Sequence, residues 1–211
     1  MRAPPERPLT AEETGGLLNV SRETIERLAL YLDLLARWQA TINLVGASTL
    51  ADPWRRHVLD SGQLWRFWPG GARRLVDLGS GAGLPGLVLA IMGAPEPHLI
   101  ESDRRKAAFL REAARATGAG VTVHACRIEA APALRADVVT ARALAPLAAL
   151  LGMAERFVTP ATVCLFPKGR GAGAELAQAR RDWRIGAEAQ PSLSDPEASI
   201  LVLREVARGR A

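Results

Sequence analysis

The sequence predicts an α/β fold, a mostly parallel seven-stranded sheet with helices on both faces. Three observations predict it. From residue 73 onward, short apolar runs alternate with helix-forming segments, and that alternation places parallel strands between covering helices. The first run, Leu75-Val76-Asp77-Leu78, leads directly into Gly79-Ser80-Gly81-Ala82-Gly83-Leu84-Pro85-Gly86, a glycine turn that carries a strand into a helix N-terminus. The last two apolar runs have no helix between them and read as a hairpin, so one strand is antiparallel.

The elements follow in order. Residues 1–10 are rich in proline and are expected to fray. Thr10-Ala11-Glu12-Glu13 forms a capping box that opens a short helix. Ser21 caps a longer helix over about 22–40, whose Ile25, Leu28, Leu32, Leu35 and Trp38 recur at three- and four-residue steps and bury one face. Asn43-Leu44-Val45-Gly46 ends it. A third helix is expected over about 53–68, carrying Arg55, Arg56, His57, Asp60 and Ser61. Residues 1–70 therefore read as an N-terminal helical extension packed on a main domain of residues 71–211, with Pro69-Gly70-Gly71 as the hinge. In the main domain, strands are expected near 74–79, 97–101, 121–125, 136–141, 161–167, 184–189 and 198–205. Helices are expected near 85–93, 103–117, 146–158 and 171–182.

Composition bounds the function. A chain of 211 residues with 48% hydrophobic content is long enough for one substantial core with an extension. No apolar stretch reaches the roughly 18 residues a membrane span needs, and the first residues lack a hydrophobic signal core. A cytoplasmic location and a monomer are the expectations. Cys126 and Cys164 lie in apolar runs far apart and read as reduced core residues. With His57, His98 and His124 they form no ligand spacing, so no metal site is expected. The net charge is +5, and the surplus lies in residues 71–211, since residues 1–70 balance 8 basic against 8 acidic side chains. A basic domain suits a polyanionic substrate, and it equally suits simple solubility.

The glycine loop narrows the cofactor. No Gly-Lys-Ser/Thr follows it, which excludes a phosphate loop of the ATP or GTP type. The spacing is Gly-x-Gly-x-Gly, not the dinucleotide Gly-x-Gly-x-x-Gly, and Asp77 stands two residues ahead of it. A carboxylate there repels a pyrophosphate but suits a cationic ligand such as S-adenosylmethionine, or else it is a structural residue that ties down the loop. About 20 residues on, where a ribose-binding carboxylate is expected, stands Glu101. Ligands in such sheets bind at the carboxyl ends of the strands. Five strand ends carry suitable groups: the loop of Gly79 to Gly86, then Glu101-Ser102-Asp103, Arg127-Ile128-Glu129, Arg142 and Lys168-Gly169.

These residues occur in the order of one family. Asn43-Leu44, Arg56-His57-x-x-Asp60-Ser61, the loop from Asp77 to Gly86, Glu101-Ser102, Lys106-x-x-Phe109-Leu110, Arg127-x-Glu129, Arg142-Ala143 and Lys168-Gly169 carry the match. Over residues 38–170 the chain resembles the RsmG (GidB) family, bacterial 16S ribosomal RNA guanine-N7 methyltransferases. The Arg-His-x-x-Asp-Ser and Gly-x-Pro-Gly pieces are not shared with methyltransferases in general. Two positions depart from the family pattern, Ala141 where a serine is usual and Arg105 where a lysine is usual.

The resemblance implies a Rossmann-like class I methyltransferase fold. It implies S-adenosylmethionine as methyl donor, S-adenosylhomocysteine as product, and a guanine of the decoding-region loop of the small subunit as acceptor. By resemblance, Gly79, Leu84, Ile128, Glu129 and Arg142 line the cofactor site, with Ile128 and Glu129 flanking the adenine. Asp77, Ser80, Gly81, Gly83, Pro85, Glu101 and Ser102 complete the expected cofactor set.

Guanine N7 holds a free lone pair in the neutral base, so no general base is required, and none is visible. Methylation at pyrimidine C5 needs a cysteine nucleophile, and neither cysteine sits in a loop motif of that kind. Methylation of an exocyclic amine goes with an Asn/Asp-Pro-Pro-Tyr/Phe loop after the fourth strand, where this chain has Arg142-Ala143-Leu144-Ala145-Pro146. Arg142 and Lys168 are the expected catalytic cations. Arg142 serves a phosphate, guanine O6 or the cofactor carboxylate, or else forms a surface ion pair. Lys168 serves RNA phosphate or the methionine carboxylate. Arg56, His57, Arg104, Arg105 and Lys106 are expected on the RNA, although Arg104, Arg105 and Lys106 read equally as a solvated basic turn, and His57 and Asp60, one helical turn apart, also read as a polar link between extension and core. A methyltransferase for a small molecule or protein is the alternative, and a cofactor-binding module without catalysis a third reading.

Overall fold

Apolar runs form Leu75–Leu78 (β1), Pro97–Ile100 (β2), Thr122–His124 (β3), Val138–Thr140 (β4), Val163–Lys168 (β5), Trp183–Pro191 (β6) and Ser199–Arg208 (β7) in a computed structural model that describes residues 7–209. Every residue of β1 and β4 is buried, as strands without a solvated face must be. The seven strands make one sheet in the order β3-β2-β1-β4-β5-β7-β6. Strands β1 to β5 are parallel, and β7 runs antiparallel to both β5 and β6. The order reverses beside β1, between β2 and β4, and this switch point opens a crevice at the carboxyl ends.

The helices are Ala11–Leu18 (α1), Arg22–Gln39 (α2), Asp60–Gly62 (α3), Gly86–Ile91 (α4), Arg104–Thr117 (α5), Leu147–Ala154 (α6) and Ala172–Ala179 (α7). Helix α2 buries Leu28, Tyr31 and Leu35 in one core with Leu84 and Leu87 of the loop and α4, Leu99 of β2 and Phe109 of α5. Trp38 meets Phe109 edge to face at 5.7 Å, and the Tyr31 hydroxyl donates to the Ala82 carbonyl at 2.8 Å. On the opposite face α6 and α7 cover Val76, Leu78, Val139, Cys164 and Phe166. Among the described residues no helix is long and apolar enough to cross a membrane.

Two expectations are corrected. The single helix over 53–68 is instead a π-helical turn, Trp54–Leu59, then α3, then a 3-10 turn, Gln63–Phe67. Across these turns His57 and Asp60 face Arg142, while Gln63 faces Ser192 and Leu193. Residues 7–10 are not frayed: Arg7 pairs with Glu13, and the Leu9 amide donates to Asp52 Oδ1 at 3.0 Å. The remaining proline-rich residues, 1–6, lie outside the described residues. At the expected hinge the Ala72 amide closes a turn onto the Pro69 carbonyl at 3.1 Å, and Trp68 and Ala72 pack on the core.

Candidate active site

The loop after β1 is built on glycine for two different reasons. Gly83 has φ +87°, and a Cβ there would stand 2.7 Å from Leu87 Cβ, so the chain closes onto α4 only without one. Gly81 has φ +54°, but a Cβ there would meet nothing nearer than 3.8 Å. That side of Gly81 is open to a ligand. Its amide donates to Glu101 Oε2 at 2.8 Å, while Glu101 Oε1 accepts from the Asp103 amide at 2.7 Å. Glu101 thus ties the end of β2 to the loop after β1.

Asp77 lies beneath the loop and is fully buried. The β1–β4 register sets Thr140 beside it, and the Thr140 hydroxyl donates to Asp77 Oδ1 at 2.7 Å. The second oxygen, Oδ2, has no well-formed hydrogen bond among the described residues, although the Gly86 amide lies close enough to favour the charged form. Burial pushes the carboxyl up to about 6, against the opposing pull of the Thr140 hydroxyl. Ser80 donates to the Asp77 carbonyl at 3.1 Å and closes the turn.

A cavity of about 1000 Å³ spans the carboxyl ends of β1 to β5. Its β1–β3 side presents Gly79, Ser80, Gly81, Leu84, Glu101, Ser102, Lys106, Ile128 and Glu129. Cys126 also reaches it. The carbonyls of Ile128 and Glu129 are held by the Arg156 guanidinium. The β4–β5 side presents Arg142 and Lys168, faced by Arg56, His57 and Asp60 from the N-terminal segment. Residues from all five parallel strand ends therefore meet in one space. Asp77, Gly83 and Pro85 stand behind the wall instead of lining it. Arg104 and Arg105 are exposed on the first turn of α5, outside the cavity. Their charge opposes the helix dipole, and the Asp103 cap offsets it by accepting the Arg105 and Lys106 amides at 2.8 and 3.2 Å.

Arg142 is held from three directions. Its Nη1 donates to Asp60 Oδ2 at 2.8 Å and to the Arg56 carbonyl at 2.9 Å, and its Nη2 reaches His57 Nδ1 at 3.4 Å. His57 and Asp60 thus meet through Arg142. A guanidinium only donates, so His57 Nδ1 accepts and its proton sits on Nε2. That nitrogen faces the Thr49 hydroxyl at 3.0 Å. The His57 ring is 1% exposed, and burial, with the neighbouring guanidinium, lowers its pKa to about 4. Lys168 donates to the Ala145 carbonyl and to Glu175 Oε2, both at 2.8 Å. The same Glu175 oxygen accepts the Leu147 amide at the start of α6.

Sequence reasoning missed the far wall. Ser192, Ser194 and Asp195, on the loop between β6 and β7, line the cavity, and Ser194 donates to Asp60 Oδ1 at 2.6 Å. Gln63, fully buried, binds Ser192 and accepts the Leu193 amide at 2.6 Å. The signal was the polar, proline-marked stretch inside the hairpin, which a plain connection does not need. Among the described residues no cluster of three His, Cys, Asp or Glu is placed to hold a metal ion. Burial raises the Cys164 thiol to about 12, so it is inert.

Comparison with known proteins adds the lineage. Residues 24–199 match the family described as GidB: rRNA small subunit methyltransferase G. The ribosomal RNA small subunit methyltransferase G of Paramagnetospirillum magneticum is 62% identical over 192 residues, covering 91% of this chain and 94% of that protein. The protein of the same name from Rhodospirillum centenum is 58% identical over 197 residues, covering 93% and 91%. Among solved structures, a TehB-like SAM-dependent methyltransferase from Corynebacterium glutamicum superimposes with a TM-score of 0.55 at 16% identity, covering 84% of this chain and 99% of that one. At that identity the likeness shows the fold alone.

Proposed function

Since the chain belongs to the GidB family of ribosomal RNA small subunit methyltransferases G, we propose that it transfers the methyl group of S-adenosylmethionine to N7 of a guanine in 16S ribosomal RNA. The observation that carries the reading is the two-sided cavity: a glycine loop with its carboxylate on one side, and clamped cations without a free base on the other.

The residues present fit the cofactor. Gly81 leaves its ligand side open, and Glu101 has lone pairs beyond the two spent on amides. The volume suits a cofactor with a flipped base, since ligand pockets span roughly 300–1000 Å³. Glu101 and Ser102 would take the ribose hydroxyls, Ile128 and Glu129 would flank the adenine, and Gly79, Ser80 and Leu84 would line the methionine side. Asp77 would hold the loop from behind, with Gly83 and Pro85 shaping its exit. When bound, the cofactor supplies an electrophilic methyl group on a sulfonium.

The chain's own task is alignment. Reacting atoms must be held about 3 to 3.5 Å apart and in line. Arg142 keeps two of its five N–H groups beyond the three spent on protein acceptors, and Lys168 keeps one of three. These are the groups for a phosphate, guanine O6 or the cofactor carboxylate. The His57 lone pair is spent on Arg142, which suits an acceptor atom that needs no proton removed. Arg56 and Lys106 at the mouth, with Arg104 and Arg105 beside it, would meet RNA phosphates, and His57 would act through Arg142. In this reading residues 1–70 close one side of the cavity, residues 71–211 hold the cofactor, and the chain works as a cytoplasmic monomer on the small subunit.

Incubation with radiolabelled S-adenosylmethionine and either small subunits or naked 16S RNA tests the reading. Label in RNA at a guanine that cleaves under the chemistry specific for N7-methylguanosine is the expected result. Label in neither RNA preparation, with transfer to a protein or small molecule, overturns it.

A further inference from the structure

We propose that Asp60 is a positioning residue that holds Arg142 and the β6–β7 loop in one geometry around the acceptor side of the cavity. The proposal rests on the reaction assigned above and names a further residue for it.

Each oxygen of Asp60 has one long-range partner. Oδ2 takes Arg142, 82 residues on, at 2.8 Å, and Oδ1 takes Ser194, 134 residues on, at 2.6 Å. The carboxylate thus joins the end of β4, the irregular helical segment and the loop between β6 and β7 through one side chain. The π-helical turn ahead of it turns the Arg56 carbonyl and His57 Nδ1 toward the same guanidinium. Three donors of Arg142 are spent in three directions, so the planar group cannot rotate without breaking all of them. The loop is fixed with equal redundancy. Ser194 also meets the Ser192 hydroxyl at 2.9 Å, Gln63 accepts the Leu193 amide, and Asp195 pairs with Arg56 at 3.6 Å.

The arrangement is poorly suited to a purely stabilising role. The Asp60 and Arg142 side chains are 18% and 21% exposed, and for a pair so far withdrawn from water the desolvation cost offsets most of the Coulomb gain. What such a pair supplies is orientation of a cation that lines the cavity. A loop anchored to the same carboxylate moves with it, so the wall of the acceptor side and the cation are set together.

The test uses the full chain with Asp60→Asn, Asp60→Glu, Ser194→Ala and the pairing of Asp60→Asn with Arg142→Ala. Asp60→Asn is expected to lower kcat/KM for small-subunit RNA by about tenfold or more, and to do nothing further in the Arg142→Ala background. Asp60→Glu recovers part of the loss. Hydrogen exchange of residues 192–198 is expected to quicken about tenfold in Asp60→Asn and in Ser194→Ala, with the thermal midpoint of Ser194→Ala within a few degrees of the parent. Activity of Asp60→Asn within twofold of the parent, or losses that multiply in the double variant, overturn the role. Unchanged loop exchange in Ser194→Ala overturns the joint whether or not RNA is the substrate. A parent chain that labels no RNA overturns the assigned reaction instead, and the exchange measurement still decides the joint.

Discussion

His57 shows how far single residues carry the chemistry. Its neutral ring has one permitted tautomer, because the group at Nδ1 is a guanidinium that only donates. Burial, then the Arg142 charge, lower its pKa to about 4, against roughly 6.5 in an unfolded chain. The folded pKa lies below the unfolded one, so the unfolded chain takes up the proton first as the pH falls. The stability this ring contributes is complete above about pH 6.5 and is lost between there and pH 4, roughly 3 kcal/mol in all. Asp77 has the opposite sign. Its carboxyl is raised to about 6, so its buried charge costs stability above pH 6 and the cost fades on acidification. The two windows overlap, and only a difference measurement separates them. The unfolding free energy of the parent minus that of His57→Asn is expected to shrink by about 3 kcal/mol between pH 7 and pH 4. A difference independent of pH would show that the ring is not held neutral. At this scale the sequence marked His57, Asp60 and Arg142 as unusual, but not that the arginine joins the other two.

Elements were legible where one period governs the segment. All seven strands and helices α2 and α5 stand where apolar spacing put them, because burial of a face or of a whole strand leaves its mark in every few residues. The segment over 53–68 reads as one helix because each of the π, α and 3-10 turns differs from the next by less than one residue per turn, too little to show in so short a pattern. Close approach between elements is also hidden. Helix α4 lies so near the sheet that a Cβ on Gly86 would stand 2.6 Å from Asp77 Cβ, Asp77 Oδ2 and Leu99 Cδ2. Alanine normally favours a helix over glycine by up to about 1 kcal/mol. Here overpacking against a buried strand outweighs that gain. Gly86→Ala is expected to destabilise the chain by about 2 kcal/mol net, read as a lower denaturant midpoint with an unchanged slope. A raised midpoint would mean that α4 has room to spare.

Over the whole molecule, the N-terminal helices and the sheet share a core. Leu28, Tyr31 and Leu35 pack with Leu87 and Phe109, and Arg27 donates to the Thr117 carbonyl at 2.6 Å at the far end of α5. A chain beginning at residue 71 would expose that face of α4 and α5 and leave the cavity without Asp60 and His57. It is expected to bind a hydrophobic dye and to lose its cooperative unfolding transition. A sharp transition in the shortened chain would show that residues 71–211 fold alone.

By itself the sequence determined the strand–loop–helix order, the glycine turn, Glu101 at the end of the second strand, the antiparallel hairpin and the family. These are properties of neighbours along the chain, where spacing and turn chemistry act directly. Only the tertiary structure decided that Arg142 is clamped by Asp60 and His57, that Lys168 is tied to Glu175, that Asp77 lies behind the loop, and that Ser194 and Gln63 fix the far wall. The physical reason is that a buried polar group takes whatever partner strand register and helix packing bring within about 3 Å, and those partners lie up to 134 residues away.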